Sequence, residues 1–249
     1  MKGSVIVILQ ARMSSTRFPG KVLALLNGKP LIKFQLERLQ RSSLISEIVV
    51  ATSEDSTDDQ LVTYLAVQNQ AVVRGPLDDV LARYLKVVDL YNPEIVVRIT
   101  GDCPLVMPEL IDDLIATLRN SEADYVTNAL SGTFPDGLDI EVFYARVLNQ
   151  VNSLPLSSIE REHVTLGIYS RPKNFKIKSI DSLVNLNELR LTVDYPDDLE
   201  FLQNILNFSE NEGAYITLDD ILAILHSHPE LSSKVPHTMR NIAIKDWHV

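Results

Sequence analysis

The sequence has little cysteine, a shortage of positive charge and no long apolar run. The 249 residues include one cysteine, Cys103, so no intramolecular disulfide can form, and a reducing compartment such as the cytoplasm fits. Lys and Arg number 23 against 33 Asp and Glu, which gives a formal net charge of −10. This balance argues against a general nucleic-acid binder or a binder of anionic membranes. It still allows a small basic pocket.

The first apolar run, VIVIL at 5–9, is short and is followed by arginines. A signal peptide needs a core of ~7–15 apolar residues and a membrane span needs ~20. We therefore expect a mature, cytoplasmic protein with no membrane insertion. Long Gly/Ser linkers, internal repeats and low-complexity segments are also missing. We expect one domain over 1–249, with a smaller lobe for substrate binding or dimerisation at approximately 124–185, where the pattern loosens.

Apolar runs of strand length alternate with segments of helical periodicity. Strands are predicted at 4–9, 47–53, 71–75 and 95–102, and helices at 29–42, 57–68, 77–91 and 107–121. Later strands are predicted at 124–130, 139–143, 175–180 and 189–194, and helices at 195–208 and 217–228, with a helical start to 157–170. This alternation predicts an α/β fold with a mostly parallel central sheet and helices on both faces.

The polar loop QARMSSTRFPGK follows the first predicted strand, and ligands of such sheets bind at the carboxyl ends of strands. Arg12, Arg17 and Lys21 bring cations, and Ser14 and Ser15 bring neutral donors. This combination suits a polyanion such as a triphosphate. The loop is neither a Walker P-loop nor a dinucleotide fingerprint, because GxxxxGK[ST] and GxGxxG are both absent. The alternative is a solvated loop whose arginines pair with acidic neighbours.

Single carboxylates end two of the predicted strands. Asp102 ends the strand at 95–102, and Asp194 ends the strand at 189–194. Carboxylate oxygens are ligands that Mg²⁺ prefers, and the two aspartates with phosphate oxygens would complete a metal site. The alternative role for Asp194 is the N-cap of the next helix. Asp197 and Asp198 are interpreted as first-turn acids that favour the helix dipole.

Several segments resemble one enzyme family. QARMSSTRFPGKVLALLNGKPLIKFQLERL is similar to the opening of the cytidylyltransferases that activate eight- and nine-carbon sugar acids, the CMP-KDO and CMP-sialate synthetases. TGDCPLV resembles their Gly-Asp-x-Pro-Leu turn, and LTVDYPDDLEFL resembles their Val-Asp-x-Pro-x-Asp-Leu segment. RGPLDDVLARY, FPDGLDIEVF and EREHVT resemble the spore coat polysaccharide biosynthesis F branch most. The motifs follow the family's order and span most of the chain.

The resemblance implies a Rossmann-like nucleotide-diphospho-sugar transferase fold of the GT-A type and a homodimer. It implies Mg²⁺-dependent transfer of CMP from CTP to a sugar, such as a nonulosonic or related sugar acid, with release of pyrophosphate, for surface polysaccharide. Arg12, Lys21 and Asp102 are the expected catalytic residues, and Asp102 and Asp194 the expected metal ligands. The expected nucleotide contacts are Leu9, Gln10, Ala11, Arg12, Ser14, Ser15, Lys21, Arg74, Gly75 and Asp79. Arg74 has the alternative role of a surface cation.

A cluster of carboxylates is the predicted acceptor site. The expected residues are Asp136, Asp139, Glu141 and His163. Asp139 and Glu141 are two positions apart on a predicted strand and share one face. With Asp136, these three carboxylates suit sugar hydroxyls, an amine or a metal but would repel a sugar acid's carboxylate, so a counter-charge is needed from Arg98, Arg161 or His163. The alternative for His163 is a structural, hydrogen-bonded histidine.

Two other functions stay open. One is a GT-A-type glycosyltransferase that uses a nucleotide-sugar. Such enzymes commonly carry Asp-x-Asp at a strand end, whereas GDCP has one aspartate. The other is a non-catalytic nucleotide-binding protein. The sequence does not identify the acceptor and only weakly favours CTP over UTP.

Overall fold

A seven-stranded sheet forms the centre of the computed structural model, which describes residues 3–209 and 215–232. The strands in chain order are β1 (Val5–Gln10), β2 (Leu25–Leu26), β3 (Lys29–Pro30), β4 (Glu47–Ser53), β5 (Ala71–Gly75), β6 (Ile95–Thr100), β7 (Tyr125–Thr127), β8 (Glu141–Tyr144) and β9 (Ile177–Ser179). The sheet order is β5-β4-β1-β6-β8-β7-β9, and β2 and β3 form a separate ribbon. Every strand of the sheet except β8 runs in the same direction.

Helices cover both faces of this sheet. They are α1 (Leu31–Leu39), α2 (Asp59–Val67), α3 (Val80–Tyr91), α4 (Pro108–Arg119), α5 (Ala145–Asn152), α6 (Ser158–Glu162), α7 (Leu166–Tyr169), α8 (Pro196–Asn207), α9 (Leu218–Ser227) and α10 (Pro229–Ser232). Successive side chains of β1 point to opposite faces. Val7 and Leu9 pack in one apolar cluster with α1, α2 and α4, while Ile6 and Ile8 pack in another with α3 and α5. The predicted α/β class with two covered faces is confirmed.

The prediction of a strand at 189–194 is wrong. Apart from one isolated bridge between Asp136 and Arg190, this extended segment pairs with loops instead of a sheet. The Leu191 N–H donates to the carbonyl of Asp136 at 2.7 Å, and the Val193 N–H donates to the carbonyl of Asp102 at 2.8 Å. Leucine and valine alternate with polar residues in this segment, and the apolar side chains pack in a third apolar cluster with α8 and α9. The segment thereby joins two loops of the site.

The region at approximately 124–185 contributes β7, β8 and β9 to the central sheet. Its helical start at 157–170 divides into α6 and α7 at Val164, which has a φ of 50°. The predicted role of this region in substrate binding or dimerisation stays a prediction. Within residues 3–209 and 215–232, no helix is both long and apolar enough to cross a membrane.

The strand order places a crevice at the end of β1. β1 lies between β4 and β6. The next strands of the sheet, β4 and β5, are added on one side of β1, and β6 is added on the other side. Gln10 and Thr100, the last residues of β1 and β6, are in register. Ligands of open α/β sheets bind outside the carboxyl ends of strands at such a switch point.

Candidate active site

Two cavities adjoin at the carboxyl ends of β1 and β6, with volumes of about 530 Å³ and 290 Å³. The smaller, which we call the loop cavity, is lined by Ser15, Thr16 and Lys21 of the polar loop. The larger, which we call the acidic cavity, has Asp139 and Glu141 in its wall. Six residues line both cavities: Gln10, Arg12, Arg17, Thr100, Asp102 and Asp194. One ligand can therefore extend from one cavity into the other.

The polar loop is anchored to the sheet by Asp58, a fully buried carboxylate. The Met13 N–H donates to its Oδ1 at 2.7 Å, and the Thr52 hydroxyl and the Ser53 N–H donate to its Oδ2 at 2.8 and 2.9 Å. Burial raises the pKa of Asp58, but these hydrogen bonds lower it by more, and the net shift is downward. The sequence analysis includes Asp58 only as part of the predicted helix at 57–68, because nothing local distinguishes it from an ordinary acidic residue at the start of a helix.

Arg12 lies at the junction of the cavities. Its guanidinium makes no hydrogen bond or ion pair with any residue that the structure describes, whereas Arg17 pairs with Asp194 at 2.8 Å. Two further polar atoms nearby in sequence, Gln10 Oε1 and Ser14 Oγ, are buried without a hydrogen-bond partner within the described residues. Buried polar groups are normally satisfied. Of these groups, Arg12 and Gln10 line the cavities, where the guanidinium suits an anion and the amide oxygen suits a hydrogen-bond donor of a ligand.

Lys21 connects the two aspartates that were predicted as metal ligands. Its Nζ lies 2.7 Å from the Val193 carbonyl, 3.0 Å from Asp194 Oδ1 and 3.3 Å from Asp102 Oδ2, and the residue is 8% exposed. Burial lowers the pKa of Lys21, but the two carboxylates raise it by more. Burial likewise raises the pKa of Asp102, and Lys21 with the Thr100 hydroxyl brings it below its ordinary value. Asp102 and Asp194 thus converge on the Lys21 ammonium, and their role as metal ligands stays a prediction.

The donor chemistry at this position fits Mg²⁺, which takes carboxylate oxygens and keeps several other oxygen ligands. Within the part of the chain that the structure describes, no group of three or more His, Cys, Asp or Glu side chains could hold a metal ion. If a metal ion binds there, Asp102 and Asp194 would supply two of its ligands. Phosphate oxygens and water would have to supply the rest.

Arg190, which the sequence analysis missed, forms ion pairs with three aspartates at the site. This buried guanidinium contacts Asp136 at 2.5 Å, Asp194 at 2.9 Å and Asp198 at 3.0 Å. Asp198 is also buried and accepts hydrogen bonds from the N–H groups of Asp194 and Tyr195 at 2.7 and 2.8 Å. Asp198 is thus more than a first-turn acid. The N-cap of α8 is Tyr195, so Asp194 does not take that alternative role.

The acidic cavity contains its own counter-charges. Glu141 forms an ion pair with Arg98 and accepts a hydrogen bond from the Tyr125 hydroxyl, while Asp136 pairs with Arg190. Burial and the neighbouring Glu141 raise the pKa of Tyr125 well above its ordinary value. The repulsion between these carboxylates and the carboxylate of an acceptor is therefore smaller than the sequence alone suggests. The Arg98 Nε is buried without a partner within the described residues.

His163 and Asp139 also line the acidic cavity. Burial is the largest effect on His163 and lowers the pKa of its imidazole below 6.5, with Glu162 opposing the shift. Arg161, the other proposed counter-charge, pairs with Asp79 at 2.7 Å and lines neither cavity. The four predicted acceptor residues, Asp136, Asp139, Glu141 and His163, are thus brought into one cavity.

The structure does not bring every predicted nucleotide residue to the cavities. Arg74 pairs with Asp59 at 2.7 Å and donates to the Ser53 carbonyl at 2.8 Å, the surface-cation alternative. Asp79 caps α3 and pairs with Arg161. Packing between β5 and its neighbours sets these partners. The predicted contacts that line neither cavity are Leu9, Ser14, Arg74, Gly75 and Asp79, whereas Gln10, Ala11, Arg12, Ser15 and Lys21 do line them.

A sequence model of the family described as Cytidylyltransferase matches residues 6–215. The chain belongs to the cytidylyltransferase family. It is 30% identical over 239 residues to the spore coat polysaccharide biosynthesis protein SpsF of Bacillus subtilis, an alignment that covers 92% of this chain and 97% of SpsF. This cytidylyltransferase is therefore a nucleotidyltransferase enzyme.

Solved structures show the same architecture. A cytidylyltransferase from Leptospira borgpetersenii superposes with a TM-score of 0.85 at 29% identity and covers 95% of this chain and 98% of that one. A CMP:2-keto-3-deoxy-manno-octonic acid synthetase complexed with CTP superposes with a TM-score of 0.63 at 18% identity, covering 82% of this chain and 98% of that one. The second likeness is one of fold. The predicted nucleotidyltransferase fold is thus confirmed.

Proposed function

We propose that this cytidylyltransferase transfers CMP from CTP to a hydroxyl of a sugar, with release of pyrophosphate and with Mg²⁺ as cofactor. The observation that carries the proposal is the adjoining pair of cavities. The loop cavity is lined by the cationic loop, and the acidic cavity by carboxylates that can accept hydrogen bonds from sugar hydroxyls. Asp102 and Asp194 line both. A reaction between a triphosphate and an acceptor needs such neighbouring subsites.

The acceptor and the pathway are proposed from the relatives. SpsF is described as a spore coat polysaccharide biosynthesis protein, and a Geobacter sulfurreducens relative, 38% identical over 120 residues, as a 3-deoxy-manno-octulosonate cytidylyltransferase. We therefore propose a sugar acid of the nonulosonic or octulosonic type, destined for surface polysaccharide. The neutralisation of Glu141 by Arg98 and of Asp136 by Arg190 supports an acceptor that itself bears a carboxylate. A homodimer remains the expectation from the family resemblance.

In the proposed reaction the acceptor hydroxyl releases its proton to water, its oxygen forms a bond to the α-phosphorus, and the bond from that phosphorus to the oxygen of pyrophosphate breaks. The protein mainly positions the reactants and neutralises charge. Arg12 and Lys21 bind and neutralise the phosphates that leave. Asp136 and Asp139 orient sugar hydroxyls. Mg²⁺, when held by Asp102 and Asp194, supplies polarisation of the α-phosphate and a lower pKa for the attacking hydroxyl.

The proposal is tested by pyrophosphate release from CTP or UTP with Mg²⁺ and a panel of sugar acids. We expect turnover with CTP, and Asp102→Asn is expected to abolish it while the circular dichroism spectrum stays unchanged. Full turnover by Asp102→Asn would remove the role of that carboxylate. Nucleotide release from a nucleotide-sugar, with no pyrophosphate from CTP, would indicate a glycosyltransferase instead.

A matched pair of arginine variants tests which cation contacts the nucleotide. Arg12→Met is expected to weaken CTP binding about 10- to 100-fold, because a charge-assisted hydrogen bond to phosphate is lost. Arg74→Met is expected to leave CTP binding nearly unchanged, since Arg74 is engaged by Asp59 and the Ser53 carbonyl. Isothermal titration of both variants with CTP measures the difference. The reverse ranking would restore Arg74 as a nucleotide contact.

A further inference from the structure

We propose that Lys21 keeps the cation position between Asp102 and Asp194 closed until a triphosphate binds, so that the nucleotide binds before the divalent metal. The inference rests on the proposed function, because it concerns the same triphosphate and the same metal ligands. It adds an order of binding and a second role for Lys21.

The first step of the argument is that Lys21 occupies the oxygens that a metal ion needs. Its Nζ lies 3.0 Å from Asp194 Oδ1 and 3.3 Å from Asp102 Oδ2, and a third contact to the Val193 carbonyl at 2.7 Å fixes the ammonium there. A lysine ammonium and a divalent cation repel each other, so they compete for these oxygens. A metal ion that arrives alone must displace the ammonium.

The second step is that both aspartates already have cationic or hydrogen-bonding partners in the protein. Asp194 contacts Arg17 at 2.8 Å and Arg190 at 2.9 Å in addition to Lys21. The second oxygen of Asp102, Oδ1, accepts a hydrogen bond from the Thr100 hydroxyl at 2.6 Å. These partners reduce the negative potential that would attract a free divalent cation, while Arg190 is shared with Asp136 and Asp198. The pair of carboxylates thus holds Lys21.

The third step is that a triphosphate offers Lys21 a new partner. Lys21 lines the loop cavity together with Arg12, Ser15 and Thr16, and Arg12 has no partner within the described residues. The flexible four-carbon stem of lysine lets the ammonium move without a change in the backbone. Phosphate oxygens in the loop cavity would draw the ammonium from the carboxylates. The same phosphates would then complete the ligand set that Asp102 and Asp194 leave incomplete.

The binding experiment is an electron paramagnetic resonance titration of the whole chain with Mn²⁺ in the absence of nucleotide. Lys21→Gln removes the charge but retains a donor for the Val193 carbonyl, and is expected to bind one equivalent of Mn²⁺ about 10- to 100-fold more tightly than the wild type. Lys21→Arg keeps the charge and should bind as weakly as the wild type. The matched control is Lys176→Gln, an exposed lysine paired with Glu122, which should also match the wild type.

The double variant Lys21→Gln/Asp102→Asn shows where the metal binds, because it should lose the gain in Mn²⁺ affinity. Equal Mn²⁺ affinity of the wild type and Lys21→Gln would overturn the proposal. Circular dichroism establishes that each variant is folded.

A measurement on the wild type alone covers the case in which Lys21→Gln does not fold. CTP is expected to raise the melting temperature in the presence of EDTA, because the nucleotide binds first and needs only Lys21 and Arg12. Stabilisation by CTP only when Mg²⁺ is present would reverse the order and overturn this inference while leaving the proposed function intact. Absence of stabilisation by CTP under both conditions would overturn the proposed function itself.

Discussion

Buried charged residues determine the geometry of the site at the scale of single residues. Lys21, Asp58 and Arg190 are each almost inaccessible to solvent, and each has several hydrogen-bond or ion-pair partners. Removal of one member of such a set leaves the others buried and unpaired, which costs more than the pair contributes. The site therefore depends on residues that need not touch the substrate.

Asp58→Asn is expected to destabilise the protein by about 1–3 kcal/mol, because the amide keeps one acceptor oxygen and places its NH2 donor against either the Met13 N–H or the Ser53 N–H, each of which needs an acceptor. The folded-state pKa of Asp58 lies below its ordinary value. Its stabilisation is thus present above the unfolded pKa of about 3.9 and is lost as the pH falls through the folded value. Urea unfolding of both proteins between neutral pH and pH 3 measures this.

The variant should lose less of its remaining stability below about pH 4 than the wild type does. Asp89→Asn, at an exposed position of α3, is the control and should behave like the wild type. Identical acid dependence of Asp58→Asn and the wild type would show that the Asp58 carboxylate does not link the loop to pH.

At the scale of elements, the extended segment 189–193 joins the two cavities. It pairs with the loop of Asp136 on one side and with the loop of Asp102 on the other. Gly137 permits this close approach: its φ is 98°, and a Cβ there would lie 2.5 Å from the backbone of Leu191 and Thr192. A shift of the segment would change the position of Asp194 relative to Asp136.

Gly137→Ala is expected to cost clearly more than about 1 kcal/mol, since it adds a backbone clash to the strain of a positive φ. Pyrophosphate release should fall with it, because Asp136 and Asp194 lose their spacing. Gly28→Ala is the matched control: its φ is 74°, but nothing lies within 4 Å of the added Cβ. Urea unfolding and activity of both variants provide the comparison. Equal costs would mean that the loop adapts and that close approach is not required.

At the scale of the whole molecule, three apolar clusters are arranged around the sheet and the site. Two cover the faces of the sheet, and the third packs α8 and α9 against the loops of Leu105, Leu138 and Leu191. The third cluster therefore supports the segments that present Asp102, Asp136 and Asp194. We propose that all three clusters belong to one cooperative unit.

Leu202→Ala, in the fully buried part of α8, is expected to cost about 2–5 kcal/mol and to lower a single melting transition. Calorimetry and circular dichroism should report the same midpoint for the variant. Leu183→Ala, at a fully exposed position, is the control and should change stability by less than about 0.5 kcal/mol. A separate early transition in Leu202→Ala would show that α8 and α9 unfold independently.

Much of the fold and part of the site follow from local sequence. The strands at 47–53 and 71–75 have the predicted bounds, and the polar loop lies at the end of β1 as expected. Apolar runs and helical periodicity predict these elements because near neighbours in sequence determine them. The motifs that contain Asp102 and Asp194 could likewise be read from the chain, since each follows an apolar segment.

Tertiary structure alone decided which charges meet. Lys21 and the Val193 carbonyl are 172 positions apart in sequence, and Met13 and Asp58 are 45 apart. No local pattern separates Arg190, which holds the aspartates, from Arg74, which is engaged at the surface. Ion-pair partners depend on how loops from distant segments pack. The same packing explains why 189–194, predicted as a strand, links two loops instead. The sequence determined the elements and the chemical types available at strand ends, while packing decided the pairing that turns them into a site.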